Sequence, residues 1–125
     1  MRKGSFTVAG DAGATADLSI TAFPGAVGGE LANINRWRGQ VSLPPIEEGE
    51  LAAAVTRLSQ NGLAFTVVDV VSTDAASPQR ILGAMVPYED AMWFFKLSGP
   101  GALVATTKPA FLEFLKTVKA APATP

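Results

Sequence analysis

Alternating apolar and polar residues near the start of the chain predict a β-hairpin. Ser5–Ala9 alternate in this way, and Ala16–Phe23 alternate again, with Leu18 on one face and Asp17 on the other. Successive side chains of a strand point to opposite faces, so a period of two is typical of strands with one covered face. The glycine-containing stretch Gly10–Ala14 between the two runs predicts the turn.

Three stretches carry apolar residues at helical spacing. The first helix is predicted over Glu30–Val41 and the second over Glu48–Gln60, with Asn61-Gly62 as its C-terminal stop. The last is predicted over Lys108–Lys119, with Pro109 in the first turn, where an amide has no helical partner. A short helical turn before Lys108 is the alternative. The positions that define the three faces are Leu31, Ile34, Arg38 and Val41, with Trp37 beside them; Leu51, Ala54, Val55 and Leu58; and Phe111, Phe114, Leu115 and Val118.

Three further runs predict strands, and two of them are apolar on both faces. The runs are Ala64–Val71, which is rich in β-branched residues, Arg80–Val86 and Ala91–Ser98. In Arg80–Val86, one face carries Ile81, Gly83 and Met85 and the other Leu82, Ala84 and Val86. In Ala91–Ser98, one face carries Trp93, Phe95 and Leu97 and the other Met92 and Phe94. In a sheet with one solvent-exposed face, apolar and polar residues would alternate along each strand. We therefore expect helices to cover this sheet on both sides.

The fold expected from these elements is α+β: a largely antiparallel β-sheet sandwiched by helices, an α/β/α sandwich of order ββ-αα-βββ-α. The chain has 125 residues, which corresponds to one domain, predicted over residues 1–119. The Ala/Pro-rich stretch 120–125 is expected to be a disordered tail. Hydrophobic residues make up 48% of the chain and charged residues 17%, so a sizeable core is expected.

Charge and missing residue types exclude several function classes. Ten Lys and Arg against eleven Asp and Glu give a net charge of −1, without the basic footprint that nucleic-acid binding usually leaves. The sequence contains no Cys and no His, which removes thiolate chemistry, the commonest metal ligand and the commonest general base. No apolar run is long enough to span a membrane. We therefore expect no cofactor, no metal site, no catalytic residue and no nucleic-acid partner.

A glycine-rich stretch, Pro24–Gly29, precedes the first predicted helix, where backbone amides can bind an anion. The stretch lacks the Lys and the hydroxyl residue of a phosphate-binding loop. It is also followed by Glu30, which would repel a phosphate. We therefore expect an ordinary strand-to-helix turn that uses the conformational freedom of glycine.

The segment Asn33–Gln40 is the densest polar and aromatic patch and the candidate interaction surface. Trp and Arg are enriched at binding hot spots, so an exposed Trp37 between Arg36 and Arg38 would suit a protein partner or an anionic ligand. In the structural alternative, which we weight more heavily, Trp37 packs on the sheet and the polar side chains tie the helix to nearby loops. The candidate residues are Asn33, Asn35, Arg36, Trp37, Arg38 and Gln40.

Acidic residues form no convincing catalytic pair. The three glutamates of Glu47–Glu50 are typical of a first helical turn, and Glu89-Asp90 is typical of a turn between strands. Asp69 interrupts an apolar strand, and we expect it to face solvent or to pair with Arg or Lys. Lys96 is expected at the solvated edge of its strand, and a buried amine is the less favoured alternative.

Three stretches resemble the Mog1/PsbP-like superfamily, in particular its bacterial envelope lipoproteins. They are Leu18–Gly25, Leu31–Gln40, and Trp93–Pro100 with the terminal helix through Phe111 and Phe114. Together they span nearly the full chain. The resemblance implies an antiparallel sheet sandwiched by helices, because that is the group's fold. It also implies an accessory or binding role, since known members act in photosystem assembly or bind a small GTPase, although a fold alone does not specify a function.

The resemblance further implies a location in the cell envelope or periplasm. The chain starts without the apolar segment of a signal peptide. Domains of that group carry an additional N-terminal stretch with an aromatic residue, so we expect this chain to be trimmed or to begin within a longer protein. None of the group's functional residues can be placed on this sequence.

Three classes of function follow, in decreasing order of support. The first is a non-catalytic interaction domain with an unidentified protein partner and an open oligomeric state. The second is a small-molecule or lipid carrier, with a cavity above about 300 Å³ lined by Met85, Met92, Phe94 and Phe95. The third is an enzyme, which would need side chains such as Asp69, Lys96, Tyr88 and the glutamates to converge in one cleft.

Overall fold

Six antiparallel strands form one sheet in the order β1-β2-β6-β5-β4-β3. The structure is a computed structural model, and it describes residues 2–10, 13–24, 29–73, 76, 78–88 and 90–118. The elements are β1 (Arg2–Ala9), β2 (Thr15–Pro24), α1 (Gly29–Gln40), a 3₁₀ turn (Glu48–Glu50), α2 (Leu51–Ala54), β3 (Thr56–Gln60), β4 (Leu63–Val71), β5 (Gln79–Tyr88), β6 (Ala91–Pro100) and α3 (Gly101–Thr117). None of the helices described has the length and apolarity needed to cross a bilayer.

Both faces of the central strands are covered, as their sequence pattern predicts. On β5, Leu82 and Ala84 are buried against α3, whereas Ile81 and Met85 are buried on the opposite side, beneath α1. On β6, Phe95 and Leu97 are buried on the α3 side and Phe94 on the α1 side. The α+β class and the sandwich of helices around an antiparallel sheet are therefore confirmed.

The two sides of the sheet form separate hydrophobic cores. The core on the α3 side consists of Ala16, Leu63, Phe65, Val67, Leu82, Ala84, Val86, Phe95, Leu97, Val104, Phe111 and Leu115. The core on the α1 side consists of Ile34, Trp37, Val41, Val68, Val70, Ile81, Met85 and Phe94, with Leu43, Ile46, Leu51, Val55 and Met92 packed against it. Burial of this apolar area is the main favourable term for folding.

The predicted helix over Glu48–Gln60 is wrong in its second half. Helix α2 ends at Ala54, and β3 begins at Thr56 as an edge strand that pairs with β4. The φ angles of Asn61 and Gly62 are 55° and 77°, so the two residues form a type I′ hairpin turn rather than a helix stop. Leu51 and Leu58 have helical spacing, but residues 56–60 pair with β4 as a strand instead. The observed element order is therefore ββααββββα.

The last helix starts earlier than its apolar stripe predicts. α3 begins at Gly101, directly after β6, whereas Lys108 was the expected start. Pro109 therefore lies inside the helix and not in its first turn, which removes one helical hydrogen bond. Val104 is fully buried on the side of the helix that faces the sheet, so this additional N-terminal part is stabilised by tertiary packing.

The face of α1 that packs on the sheet is rotated from the predicted one. Ile34, Trp37 and Val41 are buried against the sheet. Arg38, which the predicted stripe included, instead donates from Nε to the carbonyl oxygen of Pro44 at 2.7 Å. Leu31 is only half-buried.

β1 and β2 form the predicted hairpin, with Gly10 N–H donating to the Ala14 carbonyl at 2.8 Å. Some predicted features lie wholly or partly outside the described residues. These are the Gly10–Ala14 turn, the Pro24–Gly29 stretch, the loop Ser72–Pro78, the Glu89-Asp90 turn, and the tail 120–125.

Candidate interaction surface

Trp37, the centre of the candidate surface predicted from sequence, lies in the core. Its side chain is only 2% exposed. The indole packs over Gly83 and meets the ring of Phe94 edge to face, with centroids 6.1 Å apart and an interplanar angle of 87°. The interaction hypothesis predicts that Trp37 or a neighbouring arginine is exposed. Trp37 is not exposed, so the structural alternative is correct for this residue, whereas Arg36 is exposed.

The asparagines of the same segment hold the backbone of α1 in place. Asn33 is 1% exposed; its Nδ2 donates to the carbonyl of Gly29 at 2.7 Å, and its Oδ1 accepts from Arg36 at 2.8 Å. Asn35 pairs with both backbone groups of Ile46, at 3.0 and 2.8 Å. These bonds replace water for polar groups that α1 buries or half-buries, which is the role that such side chains usually have.

Of the six candidates, Arg36 and Gln40 are exposed, and Asn35 and Arg38 are half-buried. Arg36 is exposed, and its guanidinium carbon lies 5.6 Å from the centroid of the Phe94 ring. Gln40 accepts a hydrogen bond from Nζ of Lys96. The patch that looked densest in sequence is thus divided between the core and three separate polar contacts.

Asp69 is an ion-pair partner, as one of its two predicted roles requires. Arg80 donates from Nε and Nη2 to the two carboxylate oxygens at 2.7 and 2.6 Å, and Nζ of Lys108 donates at 2.9 Å. Burial alone would raise the pKa of Asp69, but the hydrogen bonds from Arg80 and Lys108 outweigh it, and the pKa is lowered. The three residues connect β4, β5 and α3.

Glu30 forms a second charged cluster, at the start of α1. Its carboxylate accepts from Nη1 of Arg57 at 2.6 Å and from Oγ1 of Thr66 at 2.7 Å. The hydrogen bond from Arg57 is the main cause that lowers the pKa of Glu30. The cluster ties the first turn of α1 to the edge strand β3 and its neighbour β4.

Residues proposed for an enzyme do not converge. Asp69 and its partners lie on the α3 side of the sheet, because Asp69 pairs with Leu82. Lys96 lies on the α1 side, where it contacts Gln40. Glu47 N–H donates to Oε1 of Glu50 at 3.0 Å within the first turn before α2. Among the residues that the structure describes, no three His, Cys, Asp or Glu lie together as a metal cluster.

Residues proposed to line a carrier cavity also lie on opposite sides of the sheet. Met85 and Phe94 belong to the core under α1, whereas Phe95 packs in the other core against Phe65 and Phe114, at centroid distances of 6.2 and 5.9 Å. Two surface depressions, of about 390 and 430 Å³, are lined by other residues. Asp17, Gln40 and Lys96 line the first. The predicted carrier cavity is not formed by these four side chains.

An exposed apolar surface lies instead on the β1–β2 hairpin. Phe6 on β1 is 56% exposed, and its strand partner Leu18 is half-buried on the same face, beside half-buried Val8 and Ile20. We call these four residues, Phe6, Val8, Leu18 and Ile20, the β1 apolar strip. Exposed apolar patches on a domain surface mark interaction sites more often than chance.

Sequence reasoning missed this strip although the signal was present. Phe6 and Val8 alternate with Ser5 and Thr7, which correctly predicts a strand with one apolar face. The pattern does not tell which strand lies at the edge of the sheet, where α3 does not cover it. That position follows only from the order of strands, and it decides that Phe6 is exposed.

Comparison with known proteins shows a fold and no family. No protein-family model matches the chain, and no curated protein matches it. A crystal structure of PA94, a protein of unknown function and suggested regulator from Pseudomonas aeruginosa, is similar, with a TM-score of 0.60. The sequences are 13% identical, and the match covers 96% of this chain and 83% of PA94. At that identity the likeness establishes a shared fold alone.

Proposed function

We propose that this domain is a non-catalytic protein-binding module whose contact surface is the β1 apolar strip. The observation that carries the proposal is the 56% exposure of Phe6 on an edge strand, next to half-buried Val8 and Leu18. Aromatic side chains supply a large contact area on binding, and water contact with such a ring is unfavourable in the free protein. The catalytic and carrier alternatives lose support because their side chains are divided between the two faces of the sheet.

We also propose that the chain is a Mog1/PsbP-like domain that acts in the bacterial cell envelope. The helix-covered antiparallel sheet supports this proposal, since it is the arrangement that the resemblance implies. Accessory and binding roles are the known activities of that group, and they agree with a contact surface that lacks catalytic side chains.

The test compares capture of partners by four forms of the full chain. Wild type, Phe6→Ser, Val71→Ser and Arg36→Ala are immobilised and cross-linked in a lysate of the source organism. Val71 is 40% exposed on β4, far from β1 in the sheet, so Val71→Ser is the matched control for loss of an exposed apolar side chain. Circular dichroism confirms that each variant is folded.

We expect a partner whose recovery falls about tenfold with Phe6→Ser, because a buried aromatic contact contributes a few kcal/mol at an interface. Val71→Ser should retain that partner. Equal recovery by wild type and Phe6→Ser would contradict the proposal. Loss with Arg36→Ala alone would place the contact on α1, at the surface first predicted from sequence.

A further inference from the structure

The two edges of the sheet differ in how they are protected against pairing with another strand. β3 is five residues long and carries Arg57, which is ion-paired to Glu30 at 2.6 Å. β1 is eight residues long, and from Gly4 to Ala9 it contains no charged residue and no proline. Short length, charge and proline are the usual means by which proteins block an edge strand. Gly4–Ala9 has none of them, because the two charged residues of β1, Arg2 and Lys3, and its register shift lie at the N-terminal end of the strand.

The hydrogen-bond pattern between β1 and β2 determines which backbone groups of β1 point outward. Gly10 N–H donates to the Ala14 carbonyl, so that pair is a hydrogen-bonded one. Bonded and non-bonded pairs alternate along an antiparallel ladder, and the pairs Ala9↔Thr15 and Thr7↔Asp17 are therefore non-bonded. The N–H and C=O groups of Ala9 and Thr7 consequently point away from β2. No further strand among the described residues pairs with this edge.

Side chains along the same edge determine what could pair with it. Phe6 and Val8 lie on the α3 face and Thr7 on the other, so an added strand would meet an apolar row on one face and a polar row on the other. At the end of β1, a depression of about 430 Å³ lies on the α3 side, lined by Gly10 and Leu103 among others. It is large enough to receive a bulky apolar side chain of the partner.

Size favours a peptide over a second folded copy. Gly4–Ala9 spans about 20 Å at about 3.3 Å per residue, and a sheet is about 10 Å deep. The edge therefore offers on the order of 200 Å², whereas each partner of a stable protein complex buries about 800 Å². An extended peptide needs less area, because main-chain hydrogen bonds supply much of its affinity when it adds to a sheet edge.

We propose that β1 binds an extended peptide segment, with alternating apolar and polar side chains, as a seventh antiparallel strand. The peptide's apolar residues pack beside Phe6 and Val8, and its backbone pairs with Thr7 and Ala9. This inference rests on the proposed function and names the partner class and the binding mode of the same surface.

The experiment uses the full chain and a fluorescein-labelled peptide, Lys-Thr-Val-Thr-Val-Thr-Val-Lys. A peptide of the same composition with its three Val residues in one block is the control ligand. Thr7→Pro removes the outward N–H of Thr7 while leaving the β1–β2 hydrogen bonds and Phe6 in place. Thr7→Ala keeps that N–H. Ser59→Pro is the matched proline control on the opposite edge, where the hairpin register makes Ser59↔Ala64 a non-bonded pair.

Fluorescence anisotropy should show saturable binding of the alternating peptide to wild type, Thr7→Ala and Ser59→Pro. Thr7→Pro should weaken the binding about tenfold, since it removes a backbone hydrogen bond at the edge. NMR hydrogen exchange on wild type adds a readout that does not depend on the variants. The amides of Thr7 and Ala9 should exchange more slowly when the peptide is bound.

Four outcomes of the binding and exchange measurements would overturn the inference. They are no saturable binding by wild type, equal affinity for the two peptides, unchanged affinity with Thr7→Pro, or no slowing of exchange at Thr7 and Ala9. Sedimentation velocity tests the alternative occupant, a second copy of the chain. Self-association of wild type that is lost with Thr7→Pro would assign the edge to a second copy and would contradict peptide binding. If Phe6→Ser loses the captured partner while Thr7→Pro retains it, strand addition fails and the proposed function stands.

Discussion

Trp37 lies directly over Gly83, and the indole occupies the space that a side chain on residue 83 would need. A Cβ built at Gly83 would overlap Cη2 of Trp37 at 2.7 Å and Cε3 at 2.8 Å. Because residue 83 lies on the central strand β5 and Trp37 on α1, the missing side chain sets how closely the helix approaches the sheet. The contact explains why a Trp between two arginines is part of the core.

Gly83→Ala is expected to lower the free energy of unfolding by about 1–3 kcal/mol, the usual cost of overpacking a core. Gly39→Ala is the control, because a Cβ at Gly39 on α1 meets no atom within 4 Å. That change should be neutral or should stabilise by up to about 1 kcal/mol. Urea denaturation followed by circular dichroism measures both, and equal effects of the two variants would contradict the close contact.

Trp37→Ala should cost about 3–5 kcal/mol, since it removes the largest side chain of the core on the α1 side and leaves a cavity. In the Trp37→Ala background, Gly83→Ala should cost much less than in wild type, because the overlapping ring is gone. A double-mutant cycle by urea denaturation measures this coupling. Additive effects of the two changes would show that the residues do not compete for one space.

Asp69→Asn is expected to destabilise the protein by about 1–2 kcal/mol near neutral pH, because Arg80 and Lys108 lose their shared anion. The folded-state pKa of Asp69 lies below its unfolded value. Its contribution is therefore complete above an unfolded pKa of about 3.9 and is lost as the pH falls through the lower folded-state pKa.

The measurement is the free energy of unfolding of wild type and Asp69→Asn as a function of pH. The difference between them should be largest near neutral pH and should shrink in acid. Asp17→Asn, at an exposed position on β2, is the control and should change stability little. A constant difference across the whole pH range would show that the charge of Asp69 is not what stabilises the cluster.

Gly62→Ala should destabilise the β3–β4 hairpin by about 1–2 kcal/mol, because φ at this position is 77° and a Cβ disfavours it. Gly49→Ala, where the Cβ meets open space, should have almost no effect. Thermal unfolding of the two variants distinguishes them. Equal melting temperatures would mean that residues 61 and 62 do not form the turn with two positive φ angles.

The misassigned segment Thr56–Gln60 shows where pattern reasoning fails. Leu51, Val55 and Leu58 have helical spacing, yet Leu58 pairs with Phe65 as a strand residue. Asn-Gly ends helices and also closes two-residue hairpins. The choice depends on whether a partner strand is available, which is a property of the tertiary structure.

The candidate site was predicted less well than the fold. Pairing of Asp69 with basic residues was one of the two outcomes predicted for a charge on an apolar strand, and exposure to solvent was the other. Exposure of Phe6 did not follow from its neighbours, because the same alternation describes a covered strand and an edge strand. Trp37 was ambiguous for the same reason, since polar neighbours on a helix occur beside both buried and exposed aromatics.

The sequence by itself determined the strands β1, β2, β4, β5 and β6, the helix α1, and the cover on both faces of β5 and β6. These features are local, because side-chain period and apolar content along one segment report its own burial. Only the tertiary structure decided that β3 is a strand, that α3 starts at Gly101, and that Trp37 is inside while Phe6 is outside. Those outcomes depend on which segments meet across the chain, and long-range packing overrides local preference where the two disagree.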